Sequence, residues 1–120
     1  MYSAIFADGG WADMCGRDVG PTPWQCYPVR FPSPGIRAFV ADRLLSVGIG
    51  TRRYYRPSIA GGYDGLMGPR FDPAATPVAE RLQEVMLCLP IYPGLEDGDR
   101  EFVADTLRST LRAVEAGESA

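Results

Sequence analysis

Three arginines and two tyrosines lie together in residues 51–57, which read TRRYYRP. An arginine fork can bind two phosphate oxygens at once, and a tyrosine offers a flat apolar face with a polar tip. This combination suits a sugar that carries a nucleotide diphosphate. Because side chains alternate across a strand, Arg53 would lie on one face and Arg52 and Tyr54 on the other. Composition alone favours a plainer interpretation, a half-buried strand with solvated arginines.

RNA binding is an alternative use of this segment, with Tyr54 and Tyr63 stacking on bases. The 120-residue chain has a formal net charge of -3, so it supplies no positive field that would attract a phosphate backbone or an anionic lipid surface. No apolar run approaches the roughly 18 residues of a membrane span. We therefore expect neither nucleic acid nor membrane as a partner.

The chain contains no lysine and no histidine, because all 12 of its positive side chains are arginine. Without lysine it cannot form an internal Schiff base, and without histidine it lacks the usual general base near neutral pH and the commonest metal ligand. We therefore expect no catalytic residue and no metal site. Asp97, Asp99 and Glu101 are interpreted as capping and dipole partners at a helix start, since their spacing matches no calcium loop.

The three cysteines are odd in number and widely spaced, so Cys15, Cys26 and Cys88 predict neither a disulfide framework nor a zinc site. Cys88 lies in the apolar string MLCLP and is interpreted as a small buried hydrophobe without a redox role. The N-terminus has no signal-peptide pattern. Together these features predict a reduced, cytoplasmic location.

The elements that would hold the arginine segment begin after an N-terminal arm. Residues 1–23 contain scattered glycines and prolines without a sustained period, so we expect them to be irregular. The aromatic and β-branched run from Trp24 to Phe31 predicts a first strand. Pro28 indicates an edge position in that strand, because proline cannot donate to a ladder.

A helix and a second strand are predicted next. Ser33 followed by Pro34 is typical of a helix start, and Gly48 is typical of a helix end. Residues 49–55 are rich in β-formers and predict a strand that leads into the loop 56–75. A loop of this length is often functional, but its glycines predict no phosphate cradle because a P-loop needs a lysine.

The second half of the chain predicts a helix, a strand and a helix. Thr76 and Pro77 start the first helix, and residues 86–89 form a brief buried strand that Pro90 stops. The last helix has acids at its start, arginines toward its end and Gly117 beyond, which matches the sign of the helix dipole.

These elements predict a small two-layer α/β domain, with about three strands and helices packed on one face, over residues 24–116 and followed by a tail at 117–120. The apolar stripes of the two longer helices predict the core. The predicted core residues are Phe39, Leu44, Leu107 and Leu111.

The order of several segments resembles one family. The chain reads LLSVGIGTRRYYRP at 44–57, PVAERL at 77–82 and LPIYPGL at 89–95, and it ends in an amphipathic helix. This order is similar to the C-terminal small domain of the DegT/StrS nucleotide-sugar aminotransferases, which depend on pyridoxal phosphate and have the aspartate-aminotransferase fold. The resemblance covers roughly residues 24–115 and is not seen in 1–23.

The resemblance implies how a site would be divided between domains. In that family the cofactor lysine and the phosphate-binding groups come from a large N-terminal domain, so pyridoxal phosphate is implied for the complete enzyme and no cofactor for this chain alone. The small domain contributes a closing face. The resemblance implies sugar-substrate contacts at Arg53, Tyr54 and Tyr63, and Tyr54 stands where many relatives have histidine.

Two functions are therefore weighed. In the first, the chain is the C-terminal part of a nucleotide-sugar aminotransferase, is inactive alone, and needs a large pyridoxal-phosphate-binding domain or subunit as its partner. In the second, it is a noncatalytic binding or interaction module with the same fold. An interdomain surface of about 600–1,500 Å² would then be exposed, and a homodimer could cover it.

Overall fold

A computed structural model of the chain describes residues 2–8, 26–54, 56, 58 and 72–118. The described elements, in chain order, are helix α1 (Tyr2–Asp8), strand β1 (Tyr27–Arg30), helix α2 (Pro34–Ser46), a 3-10 turn (Pro73–Ala75), helix α3 (Pro77–Val85), strand β2 (Met86–Leu89) and helix α4 (Asp97–Glu115). The predicted class, a small mixed α/β domain, is confirmed. None of the helices in these ranges is both long enough and apolar enough to cross a membrane.

The two strands pair antiparallel, with Tyr27 opposite Leu89 and Pro28 opposite Cys88. Alternate residues of both strands are buried in the core against the helices. Cys88 directs its backbone N–H and C=O away from β1, toward Arg52. Pro28 and Cys88 therefore form a pair that makes no ladder hydrogen bonds. The N–H that proline lacks would not have bonded to β2, so no hydrogen bond is lost. This confirms the edge position predicted for Pro28 within the described sheet.

The strand predicted at 49–55 is wrong in extent. Its described residues form one isolated bridge, in which the Arg52 N–H donates to the Cys88 carbonyl at 3.0 Å and the Cys88 N–H donates to the Arg52 carbonyl at 2.7 Å. The chain then turns, because the Arg56 N–H donates to the Arg53 carbonyl at 3.0 Å. This turn takes the backbone away from β2 after the one pair that Arg52 forms with Cys88. A composition rich in β-formers does not reveal the turn.

Helix α2 begins and ends at the residues that the sequence indicates. The Ser33 hydroxyl accepts a hydrogen bond from the Ile36 N–H at 3.2 Å. At the other end Gly48 has φ of +85°, where a side chain would be strained, and the N–H groups of Gly48 and Ile49 donate to carbonyls of the last turn. Ile49 and Leu44 are both buried, so the cap also directs the chain back into the core.

We expect Ser33→Ala to lower the free energy of unfolding by about 0.5–2 kcal/mol, because it removes the acceptor of an N-terminal N–H that the helix itself cannot pair. Urea denaturation followed by circular dichroism measures the change. Ser46→Ala is the matched control, since the Ser46 hydroxyl is exposed and donates to a carbonyl within its own helix. Equal losses in the two variants would show that the Ser33 cap has no special role.

The irregular arm predicted at 1–23 is wrong for residues 2–8, which form α1. Tyr2, Ile5 and Phe6 are buried in the core, and the ring of Tyr2 lies 4.9 Å from that of Tyr27. Burial raises the pKa of Tyr2 to about 12, so its hydroxyl keeps its proton and donates to the Pro90 carbonyl. A helix this short depends on tertiary packing and is too short to show a sustained period in the sequence. Residues 9–23 lie outside the described residues.

The elements of the second half are confirmed, and β2 follows α3 without a break. Leu44, Leu107 and Leu111 are buried as predicted. Phe39 is only partly buried, and Val40 beside it takes the core position on α2. On α4 the acidic first turn suits the helix dipole, although Glu96 makes no side-chain cap hydrogen bond.

Candidate functional site

An open cavity of about 650 Å³ lies between the C-terminal half of α2, the bridged segment at Arg52 and the chain leaving β2. Backbone pairing to Cys88 holds Arg52 at its edge. Polar, aromatic, apolar and thiol side chains all contribute to the wall. They include Cys26, Asp42, Leu45, Thr51, Arg52, Tyr54, Cys88 and Tyr92. The cavity is therefore built where the sequence places its arginine and tyrosine cluster.

Two tyrosines give this cavity its aromatic surface. Tyr54 is 44% exposed and follows the bridge, and Tyr92 is 52% exposed and follows β2. Arg52, which is exposed, lines the same cavity. Aromatic surface beside an arginine fork suits a polar ligand that also has an apolar face, such as a sugar with an anionic group.

Arg53 lies on the other side of the backbone, at the C-terminal end of α3. Its Nη2 donates to the Gln83 carbonyl at 2.7 Å and lies 3.8 Å from a Glu84 carboxylate oxygen. Arg37 makes a parallel contact, in which Nε donates to the Glu84 carbonyl at 3.0 Å. The C-terminal end of a helix carries partial negative charge, so the helix dipole stabilises cations at this position. The Arg53 side chain is thus already engaged in holding α3.

The groups around Arg53 shift its pKa in opposite directions. Burial and the charges of Arg37 and Arg56 lower the pKa of Arg53, and the nearby Glu84 carboxylate opposes them. Arg56 Nε is 3.9 Å from that carboxylate. The buried Nε of Arg53 has no hydrogen-bond partner. Two guanidinium groups thus share the Glu84 carboxylate, and the third, from Arg37, is bonded to the Glu84 backbone carbonyl.

The predicted site residues are therefore not all brought together. Alternation across the backbone, as expected from the sequence, places Arg52 and Tyr54 at the cavity and Arg53 at the end of α3. Tyr63 lies outside the described residues. Arg52 and Tyr92 were not among the predicted site residues. Alternation could have indicated Arg52, whereas Tyr92 reaches the cavity only through the turn after β2.

The groups around the cavity can bind a ligand but form no familiar catalytic set. The chain offers no lysine or histidine, and within the described ranges no group of three or more acidic or thiol side chains could hold a metal ion. What remains are guanidinium, phenol, hydroxyl, carboxylate and thiol groups. This arrangement can position a ligand, while a reaction that needs an amine nucleophile would need another chain or domain.

The fold of the chain is similar to part of one solved protein. Its backbone matches a Streptococcus pneumoniae protein, Spr1654, that is described as a sugar aminotransferase. The form with pyridoxamine phosphate gives a TM-score of 0.68 at 18% identity, and the match covers 98% of this chain and 31% of that chain. The form with pyridoxal phosphate gives a TM-score of 0.66 at 19% identity, covering 93% and 30%. At this identity the likeness shows a shared fold.

The chain belongs to the DegT/DnrJ/EryC1/StrS aminotransferase family, whose model matches residues 1–108. This confirms the resemblance seen in the sequence. It also extends the match through residues 1–23, where no resemblance was expected. No match among curated proteins was found. The chain spans about 31% of the length of the solved Streptococcus pneumoniae protein.

Proposed function

We propose that the chain is the C-terminal small domain of a pyridoxal-phosphate-dependent nucleotide-sugar aminotransferase and is inactive alone. The family match over residues 1–108 carries the proposal. The coverage of about 31% of a solved relative supports a role as one part of a larger assembly. A large pyridoxal-phosphate-binding domain or subunit is then the partner, and the cytoplasm expected from the unpaired cysteines is the location.

In this proposal the chain contacts the sugar substrate and closes over it. Arg53, Tyr54 and Tyr63 are the proposed contacts, and the cavity beside Tyr54 supports such a role for that residue. The support for Arg53 is the resemblance in the sequence, because its Nη2 is bonded to the Gln83 carbonyl and its Nε is buried. Leu45, 67% exposed at the cavity wall, supplies apolar surface for the large domain to cover.

The residues of this chain do not fit the cofactor by themselves. Pyridoxal-phosphate enzymes hold their cofactor through a lysine amine, and the sequence has no lysine. The solved relative is named in forms with pyridoxal phosphate and pyridoxamine phosphate, which supports the cofactor for the complete enzyme. In the proposal, the large domain binds the cofactor and this chain meets only the substrate.

Reconstitution with the cognate large domain tests the substrate contacts. We expect Arg53→Ala to raise the KM for nucleotide sugar about 10- to 150-fold, which corresponds to losing one hydrogen bond to a charged group, about 1.5–3 kcal/mol. Tyr54→Phe should also impair substrate use, and cofactor binding should stay intact in both variants. Steady-state kinetics and the cofactor absorption spectrum give the two readouts.

Arg37→Ala is the matched control, because Arg37 also donates to a carbonyl at the end of α3 but is not a proposed substrate contact. If Arg37→Ala raises KM as much as Arg53→Ala does, the effect comes from loosening α3. If neither Arg53→Ala nor Tyr54→Phe changes KM or kcat while both variants fold normally, the proposed substrate role of these residues is wrong.

The alternative is a noncatalytic module that uses the same face on a partner or on a second copy. The exposed Leu45, Tyr54 and Tyr92 at the cavity favour such a contact surface. Sedimentation of the purified chain distinguishes a homodimer from a module that binds another protein, since a well-behaved monomer contradicts a homodimer. An active mixture with the large domain contradicts a noncatalytic role altogether.

A further inference from the structure

Two of the three cysteines come together at the cavity wall. Cys26 and Cys88 both line the cavity. The strand register explains why, because Cys88 lies opposite Pro28 and Cys26 is two residues before Pro28, on the same face of the sheet. The two thiols influence each other's titration, and neither cysteine is in a disulfide. The sequence spacing of these cysteines, 62 positions, hides this contact.

The two thiols differ in their access to solvent. Cys88 is 3% exposed, and burial together with the neighbouring Cys26 thiol raises the pKa of Cys88 to about 11. Its thiol is therefore protonated at neutral pH and a slow nucleophile toward external reagents. Cys26 is partly exposed at the cavity. A reagent that enters the cavity therefore reaches the more exposed Cys26 more readily than the buried Cys88.

We propose that Cys26 and Cys88 form a reversible disulfide by exchange with a small-molecule disulfide that enters the cavity. In the first step the Cys26 thiolate attacks one sulfur of the reagent, forming a mixed disulfide and releasing one small thiol. In the second step Cys88 gives up its proton and its Sγ attacks the Cys26 Sγ, which releases the second small thiol. The two protein thiols are oxidised, and the reagent is reduced to two thiols.

The pairing register predicts that this bond is a labile one. Diagonal neighbours across a ladder have Cα atoms about 7–8 Å apart, whereas disulfides usually span about 4.4–6.8 Å. The backbone at Cys26 must therefore move toward β2 when the bond closes. Cys26 lies just before the first paired residue of β1, so no ladder pair restrains it. A bond that holds this displacement is strained and easily reduced, as regulatory disulfides are.

The experiment uses the full chain, reduced and then treated with oxidised glutathione, followed by alkylation of remaining thiols under denaturing conditions and mass spectrometry. We expect a product in which Cys26 and Cys88 have together lost two hydrogen atoms and neither carries glutathione or the alkylating group. Peptide mapping should place the bond between Cys26 and Cys88. Dithiothreitol should restore all three alkylatable thiols.

Variants separate the two steps of the exchange. Cys88→Ala should stop at the mixed disulfide, so glutathione stays on Cys26, and Cys26→Ser should leave Cys88 unmodified. Cys15→Ser is the control and should form the bond as the parent does. A stable glutathione adduct on Cys26 or Cys88 in the parent, a bond that includes Cys15, or no reaction at these two cysteines would each overturn the proposal. The parent measurement decides even where a variant folds poorly.

Discussion

Replacing Leu107 by alanine is expected to lower the free energy of unfolding by about 2–5 kcal/mol. Leu107 is 0% exposed in the middle of α4, in the cluster that joins this helix to α1, α2 and the sheet. The substitution removes apolar surface from the core and leaves a cavity that its neighbours fill only partly. Because small domains are stable by only about 5–15 kcal/mol, this is a large fraction of the total. Urea unfolding followed by circular dichroism measures it.

Leu45→Ala makes the same chemical change at a residue that is 67% exposed and serves as the control. We expect the Leu45 variant to lie within about 0.5 kcal/mol of the parent, as surface substitutions usually do. An unchanged urea midpoint for Leu107→Ala would mean that this face of α4 meets solvent. The helix packing described above would then be wrong.

The purified chain mixed with pyridoxal phosphate is expected to show no visible absorption band from a Schiff base at a defined site. The reason is chemical, since the linkage needs a lysine amine and the chain has none. The N-terminal amine reacts only weakly and without a binding site. Absorption spectra recorded before and after dialysis measure the outcome, and a stoichiometric band that survives dialysis would contradict the prediction.

A mixture with the cognate large domain supplies the positive control for the cofactor experiment. Under the proposed function the large domain carries the cofactor lysine, so the mixture should retain the band through dialysis. Leu107→Ala in this chain should leave that band in place, because the substitution touches the packing of the small domain alone. A band that is lost when residues of this chain are substituted would contradict the expectation that they have no role in binding the cofactor.

The helix ends and the strand face are the parts of the fold that the sequence predicted best. Ser33 and Gly48 mark the two ends of α2 as expected, because caps act through a few neighbouring backbone groups. Pro28 marked an edge for a similarly local reason, the missing N–H. The opposite placement of Arg53 and Tyr54 followed from alternation across an extended backbone.

The errors concern features that depend on distant parts of the chain. Helix α1 is held by burial of Phe6 in a core built mainly from later residues. The strand expected at 49–55 is limited by a turn at Arg53, which composition does not report. On α2, Phe39 and Val40 are both apolar neighbours, and only the position of the sheet and α4 decides that Val40 is the one fully buried.

Residue types and neighbours within one or two turns were enough to indicate which side-chain chemistry the chain lacks, where its longer helices begin and end, and which family it resembles. Folding of the whole chain was needed to bring Tyr92 to the cavity beside Tyr54, Arg53 to the end of α3, and Cys26 to the same cavity wall as Cys88. Such contacts join residues far apart in the chain. They are set by strand register and helix packing, which arise from the whole core at once.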